Sequence, residues 1–128
     1  TAQYKQGAGA LSISGTSDVN GDMGSIKTIT ATNVTGKEIG VWIYISQAGY
    51  DKIHPTSGAA SQLYIWSGTG TNLIYKNFLK SNFSVGWNYI SMGPNNKSGT
   101  IGTFDATNTN KITYAFKTQN PSTAITSN

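Results

Sequence analysis

The run Val41-Trp42-Ile43-Tyr44-Ile45-Ser46 leaves this chain few ways to fold. It alternates strictly, so an extended backbone puts Val41, Ile43 and Ile45 on one face and Trp42, Tyr44 and Ser46 on the other. Both faces are bulky and mostly apolar, which is the pattern of a strand with something to pack against, or to bind, on each side. Gln62-Leu63-Tyr64-Ile65-Trp66 and Trp87-Asn88-Tyr89-Ile90-Ser91-Met92 repeat the arrangement. All three tryptophans therefore lie on strands that set aliphatic residues against aromatic ones.

No segment keeps an apolar spacing at helical period. Short alternating runs bounded by Gly, Asn, Asp, Ser and Thr predict strands at residues 10–14, 26–32, 37 or 38 to 46, 62–66, 72–78, 87–92 and 111–117, with a weaker eighth at 100–104. Glycine and asparagine supply the turns between them, because both tolerate positive φ. Two longer connections, 47–61 and 95–110, read as loops at the ends of the sheets, and such loops often carry binding. The pattern predicts an all-β fold of two antiparallel sheets occupying residues 1–117. The stretch 118–128 (TQNPSTAITSN) has little hydrophobic pattern and reads as a tail or linker.

With 128 residues the chain is long enough for a single core. It has no cysteine, which excludes disulfides and thiolate metal sites. The net charge of +4 comes from nine scattered lysines against five acids, with no arginine. Arginine is the usual fork for phosphates and guanine edges, so sequence-specific nucleic-acid binding is not expected. Ser, Thr and Asn supply 43 residues while only 11% are charged, a polar, weakly charged balance common among secreted β-proteins. No apolar run is long enough to span a membrane, and Thr1-Ala2-Gln3 shows no signal-peptide pattern, as expected of a processed protein or an excised domain.

The succession Gly7-Ala8-Gly9-Ala10-Leu11-Ser12-Ile13-Ser14, Gly36-Lys37-Glu38-Ile39-Gly40-Val41-Trp42-Ile43-Tyr44-Ile45, Leu63-Tyr64-Ile65-Trp66 and Val85-Gly86-Trp87-Asn88-Tyr89-Ile90 resembles the concanavalin A-like lectin/glucanase jelly rolls. It is most similar to the divergent non-catalytic modules of bacterial polysaccharide-degrading enzymes and of phage virion and tail proteins. The resemblance covers residues 4–117 and implies a jelly-roll sandwich. It implies carbohydrate binding or receptor recognition on an extracellular or virion surface. A glucanase of that superfamily needs two alternating glutamates, and Glu38 is the only glutamate here, so the hydrolase is excluded by count. The acid cluster that holds metal in legume lectins has no counterpart. Such modules commonly close with one more strand after the equivalent of 112–117, which implies a last strand lying beyond this chain or supplied by a neighbour.

Candidate binding residues follow from the chemistry of sugars. Trp42, Tyr44, Tyr64 and Trp66 are expected either to form a platform that stacks on the apolar faces of sugar rings or to fill the sandwich core. Trp87, following Gly86 at a strand start, is expected to anchor a turn onto the core. In the 47–61 loop, Tyr50, Asp51, Lys52 and His54 lie within five positions and are candidates to line a rim pocket. His54 has no second histidine, cysteine or carboxylate pair beside it for zinc or catalysis. Asp18, Asn20 and Asp22 carry oxygens at alternate positions, as the start of a calcium loop does, with Asp105 as a distant further ligand. Met23 and Ile29 stand where an EF-hand needs glycine and a bidentate glutamate, which makes a polar turn the plainer reading. The expected partners are a glycan or cell-surface polysaccharide and neighbouring domains of a larger assembly. The competing expectation is a structural module of a virion or fibre with no glycan ligand.

Overall fold

A computed structural model describes residues 13–16, 22–118 and 124–127. Among these residues nine strands appear in the order β1 (Ile13–Thr16), β2 (Asp22–Thr32), β3 (Ile39–Ile45), β4 (Ser61–Ser67), β5 (Leu73–Phe78), β6 (Gly86–Met92), β7 (Gly99–Ile101), β8 (Thr109–Lys117) and β9 (Ala124–Ser127). One short helix, α1 (Gln47–Lys52), and two single 3₁₀ turns, Lys80–Asn82 and Ala106–Asn108, interrupt them. All pairings are antiparallel. The main sheet runs β2-β8-β4-β5-β7, β3 pairs with β6, and β1 pairs with β9.

Alternation along the strands decides what lies inside. In β4, Ser61, Leu63, Ile65 and Ser67 are buried while Gln62, Tyr64 and Trp66 are half-buried. In β3, Ile43 and Ile45 are buried and Trp42 is exposed. Ile43, Ile45, Ile90 and Met92 of the β3–β6 pair join Leu63, Ile65, Ile74, Phe78 and Phe116 of the main sheet in one cluster, so the two sheets share a core. Each fully buried aliphatic side chain there contributes about 1.5–3 kcal/mol by leaving water. The rings inside are Phe78, Phe83, Tyr114 and Phe116, which meet edge to face or tilted, with centroids 4.8–6.0 Å apart. No tryptophan is among them.

Burial pushes the Tyr114 phenol well above its ordinary pKa, and the neighbouring Ser61 side chain opposes the shift. Ser61 instead donates to the Ala115 carbonyl at 3.0 Å.

Two segments differ from what the sequence pattern predicts. The 47–61 connection opens with α1, because Ser46 caps it, its Oγ accepting the Gly49 N–H at 3.1 Å. Six residues are too few to show a helical period. Within the stretch expected to be a tail, Ala124–Ser127 forms β9 and pairs with β1, and that strand also lies against β3 and α1. The weaker strand expected at 100–104 is present in part as β7, a three-residue strand on the edge of the main sheet.

Candidate binding face and cleft

The four residues expected to make one platform occupy two surfaces that point away from each other. Trp42 and Tyr44 project from the outer side of the β3–β6 pair, and Tyr64 and Trp66 from the outer side of the main sheet, with the shared core between. A single contiguous row of these four is therefore excluded, and so is the alternative that they fill the core. The reason is the pleat: Ile43 and Ile45, and Leu63 and Ile65, hold the inner positions, and their strand neighbours have to face outward.

On the β3–β6 side the register places Trp42 opposite Tyr89 and Tyr44 opposite Trp87. The Trp42 and Tyr89 rings lie 5.0 Å apart, and the Tyr44 and Trp87 rings 5.5 Å apart. This makes a two-by-two patch of rings on a two-stranded ribbon. Trp42 is 44% and Tyr89 58% exposed, both high for side chains of this size. Gly40 determines how Tyr89 lies, since a Cβ at that position would overlap the phenol ring. The ring therefore reclines across β3 instead of standing off the sheet.

Tyr89 and Trp87 are the members that sequence reasoning missed. Trp87 does not anchor the turn before β6. Asn88 does so, its Oδ1 accepting the Ser84 N–H and its amide donating to the Ser84 and Gly86 carbonyls, each at 2.9 Å. Asn88 takes the inner position of the pleat and is buried, and Trp87 consequently faces outward beside Tyr44. The signal available in the sequence was the matched alternation of 42/44 with 87/89, which becomes a patch only once the β3–β6 register is known.

The outer side of the main sheet is built from similar residues and differently fastened. Trp66 Nε1 donates to Thr113 Oγ1 at 3.0 Å, and the Lys111 ammonium sits 3.8 Å over its ring centroid. Tyr64 donates to Gln62 Oε1, and Gln62 Nε2 donates to Asn77 Oδ1 at 2.8 Å. Tyr75 lies over Gly99, where a Cβ would again overlap the ring.

The 47–61 candidates hold structure together. Tyr50 packs on the core, with the Lys80 ammonium 4.7 Å from its ring centroid. Lys80 also donates to the Ile53 carbonyl at 3.2 Å. His54 Nδ1 accepts the Thr56 and Ser57 N–H groups at 3.3 and 3.1 Å, organising the turn at Pro55, and its backbone N–H joins Lys117 at 2.9 Å. Asp18 and Asn20 lie outside the described residues. Of Asp22 only the backbone is described, paired with Lys117 at the start of β2. Asp105, the distant ligand considered with them, accepts both the Thr107 N–H at 2.9 Å and its hydroxyl at 2.7 Å, and these bonds hold its carboxyl below the usual pKa. Among the described residues no group of three His, Cys, Asp or Glu side chains converges as a metal site would require.

Next to Tyr89 a polar ring closes the edge of the sandwich. Ser91 Oγ donates to Glu38 Oε2, Asn96 Nδ2 donates to Glu38 Oε1 at 2.9 Å, and Lys76 Nζ donates to Asn96 Oδ1 at 2.7 Å and to the Ser91 carbonyl at 3.3 Å. The bonds from Ser91 and Asn96, with a smaller attraction from Lys76, lower the Glu38 pKa. Between the second half of β5 and β6 lies an open cleft of about 480 Å³, within the range of about 300–1,000 Å³ usual for small-ligand sites. Tyr89 belongs to both the aromatic patch and the wall of this cleft.

No protein-family model, curated protein or solved structure matches this chain.

Proposed function

We propose that the protein is a non-catalytic carbohydrate-binding or receptor-recognition module, displayed on an extracellular or virion surface, with a jelly-roll sandwich of the concanavalin A-like kind. The observation that carries this reading is the Trp42–Tyr89 pair, two large rings side by side and about half exposed on a two-stranded ribbon. The axial C–H face of a pyranose is apolar and slightly electropositive, and it complements the electron-rich face of such a ring. Polar groups that bond to hydroxyls stand at the border of the patch, in Ser91, Glu38 and Asn96. The sole glutamate is held by two hydrogen bonds, in keeping with a structural and binding role for it. Shallow contact of this sort is weak for one copy, and several copies on one particle supply the avidity.

The test is a set of three variants measured by affinity electrophoresis against soluble polysaccharides. Trp42→Ala and Tyr89→Ala are each expected to weaken binding about tenfold or more, equivalent to ~1.4 kcal/mol, with a melting temperature within a few degrees of the parent. Trp66→Ala is expected to lower the melting temperature and leave binding unchanged. Binding that survives both of the first two variants refutes the reading.

A second reading, a structural module of a virion or fibre, is favoured by Ile26, which is 66% exposed on β2 at the edge of the main sheet. An edge strand with an exposed aliphatic residue is a ready surface for another subunit. Loss of an oligomer on Ile26→Lys, in the absence of any glycan binding, decides for it.

A further inference from the structure

Lys76 and Asn82 bring hydrogen-bond donors to the cleft beside Tyr89. Lys76 has three N–H donors, of which two are engaged, by the Ser91 carbonyl and by Asn96 Oδ1. Asn82 accepts the Leu79 N–H at its Oδ1 at 2.7 Å, which fixes the orientation of the amide and leaves its NH₂ with no partner among the described residues. Both residues line the cleft, so each leaves a donor there. The positive charge of Lys76 is answered through Asn96 by the Glu38 carboxylate. Phe78 and Ile90, both almost wholly buried and Phe78 with the Lys76 ammonium 5.5 Å from its ring centroid, add a small apolar floor to the same cleft. A neutral acceptor carrying a small apolar portion fits these groups.

Resting on the reading that a sugar stacks on Tyr89, we infer that the cleft is a subsite for an acyl substituent of that sugar, an N- or O-acetyl group. Its carbonyl oxygen accepts from Asn82 Nδ2 and the remaining Lys76 N–H. Its methyl group rests on Phe78 and Ile90. A carboxylate supplies the acceptor but not the methyl, and it meets Glu38 across Asn96 and Ser91. An unsubstituted hydroxyl leaves the apolar surface uncovered.

The experiment is isothermal titration of the full chain with two matched pairs and one anionic probe. The pairs are N-acetylchitohexaose with its de-N-acetylated form, and O-acetylated xylan with the same xylan after alkaline deacetylation. Polygalacturonate is the anionic probe. The acetylated member of at least one pair is expected to bind about tenfold more tightly, and the pair that responds tells N-acetyl from O-acetyl recognition. Asn82→Asp keeps an oxygen for the Leu79 N–H, so the fold is retained, but it removes the donor. It is expected to abolish the preference for acetylation while leaving the melting temperature unchanged. Trp42→Ala is expected to weaken both members of the pair. Equal affinity for both members that still depends on Trp42 overturns the acyl subsite and leaves the stacking face standing. A preference for polygalacturonate, or an acetyl preference indifferent to Asn82→Asp, also overturns the subsite. Absence of binding to every probe overturns the stacking face and the subsite together.

Discussion

The two outward faces of this protein use nearly the same residues and treat them in opposite ways. On the main sheet, Trp66 lies under Lys111 and donates to Thr113, while Tyr64 is tied through Gln62 to Asn77. On the β3–β6 ribbon Trp42 meets the Tyr89 ring and Tyr44 the Trp87 ring, and Tyr89 makes no side-chain hydrogen bond among the described residues. A central strand brings polar neighbours from both sides: β4 lies between β8, which supplies Thr113 and Lys111, and β5, which supplies Asn77. Among the described residues β6 pairs with β3 alone, and its side toward β5 opens into the cleft. Aromatic content alone therefore does not make a binding face. What matters is whether neighbouring strands cover the rings and satisfy their polar atoms.

The largest effect expected concerns the layer beneath both faces. Ile65→Ala, which empties a fully buried position behind Tyr64 and Trp66, is expected to cost about 2–5 kcal/mol, read as a lowered midpoint in urea. A cost below about 1 kcal/mol would mean that the aliphatic side of β4 is not the core and that the two faces are not opposed.

A subtler contrast comes from the glycines under the two tyrosines. Gly40→Ala pushes the Tyr89 ring off β3, and Gly99→Ala does the same to Tyr75 on the other sheet. Each ring end is free to swing, so either substitution is expected to change stability by about 1 kcal/mol or less. Only Gly40→Ala is expected to reduce glycan binding, to the level of Tyr89→Ala. Equal effects on binding would erase the distinction between the faces.

The smallest effect is electrostatic. The Glu38 pKa is lower in the folded chain than in an unfolded one, because the Ser91 and Asn96 bonds favour the carboxylate. Its contribution to stability is therefore present above the unfolded pKa and is lost as pH falls through the depressed folded value. Glu38→Gln is expected to flatten the acid end of the melting-temperature profile slightly, with no change near neutrality beyond the loss of a screened surface interaction. A variant profile parallel to the parent's throughout would show that Glu38 does not hold the cleft edge.

Much of the strand pattern was legible from alternation, because a half-buried strand has to write its two environments at a period of two. β3, β4, β5, β6 and β8 fall within one or two residues of their predicted ends. α1 was not legible, since six residues capped by a serine leave no periodic trace, and neither was β9, whose AITS run is too short and polar to stand out from its surroundings. The candidate site was legible in part. Trp42 and Tyr44 are on the exposed ribbon, while Tyr64 and Trp66 are on the fastened face. Tyr50 and His54 turned out to serve the packing and turns of their own loop.

From residue order alone came the β class and the division of each strand into an aliphatic and an aromatic side, because side chains on an extended backbone alternate whatever surrounds them. Which strands became neighbours was decided only in three dimensions. Pairing joins residues far apart in the chain, as it joins Trp42 to Tyr89 and Glu38 to Ser91. Whether a ring ends up covered or open depends on those pairings, and no local pattern encodes them.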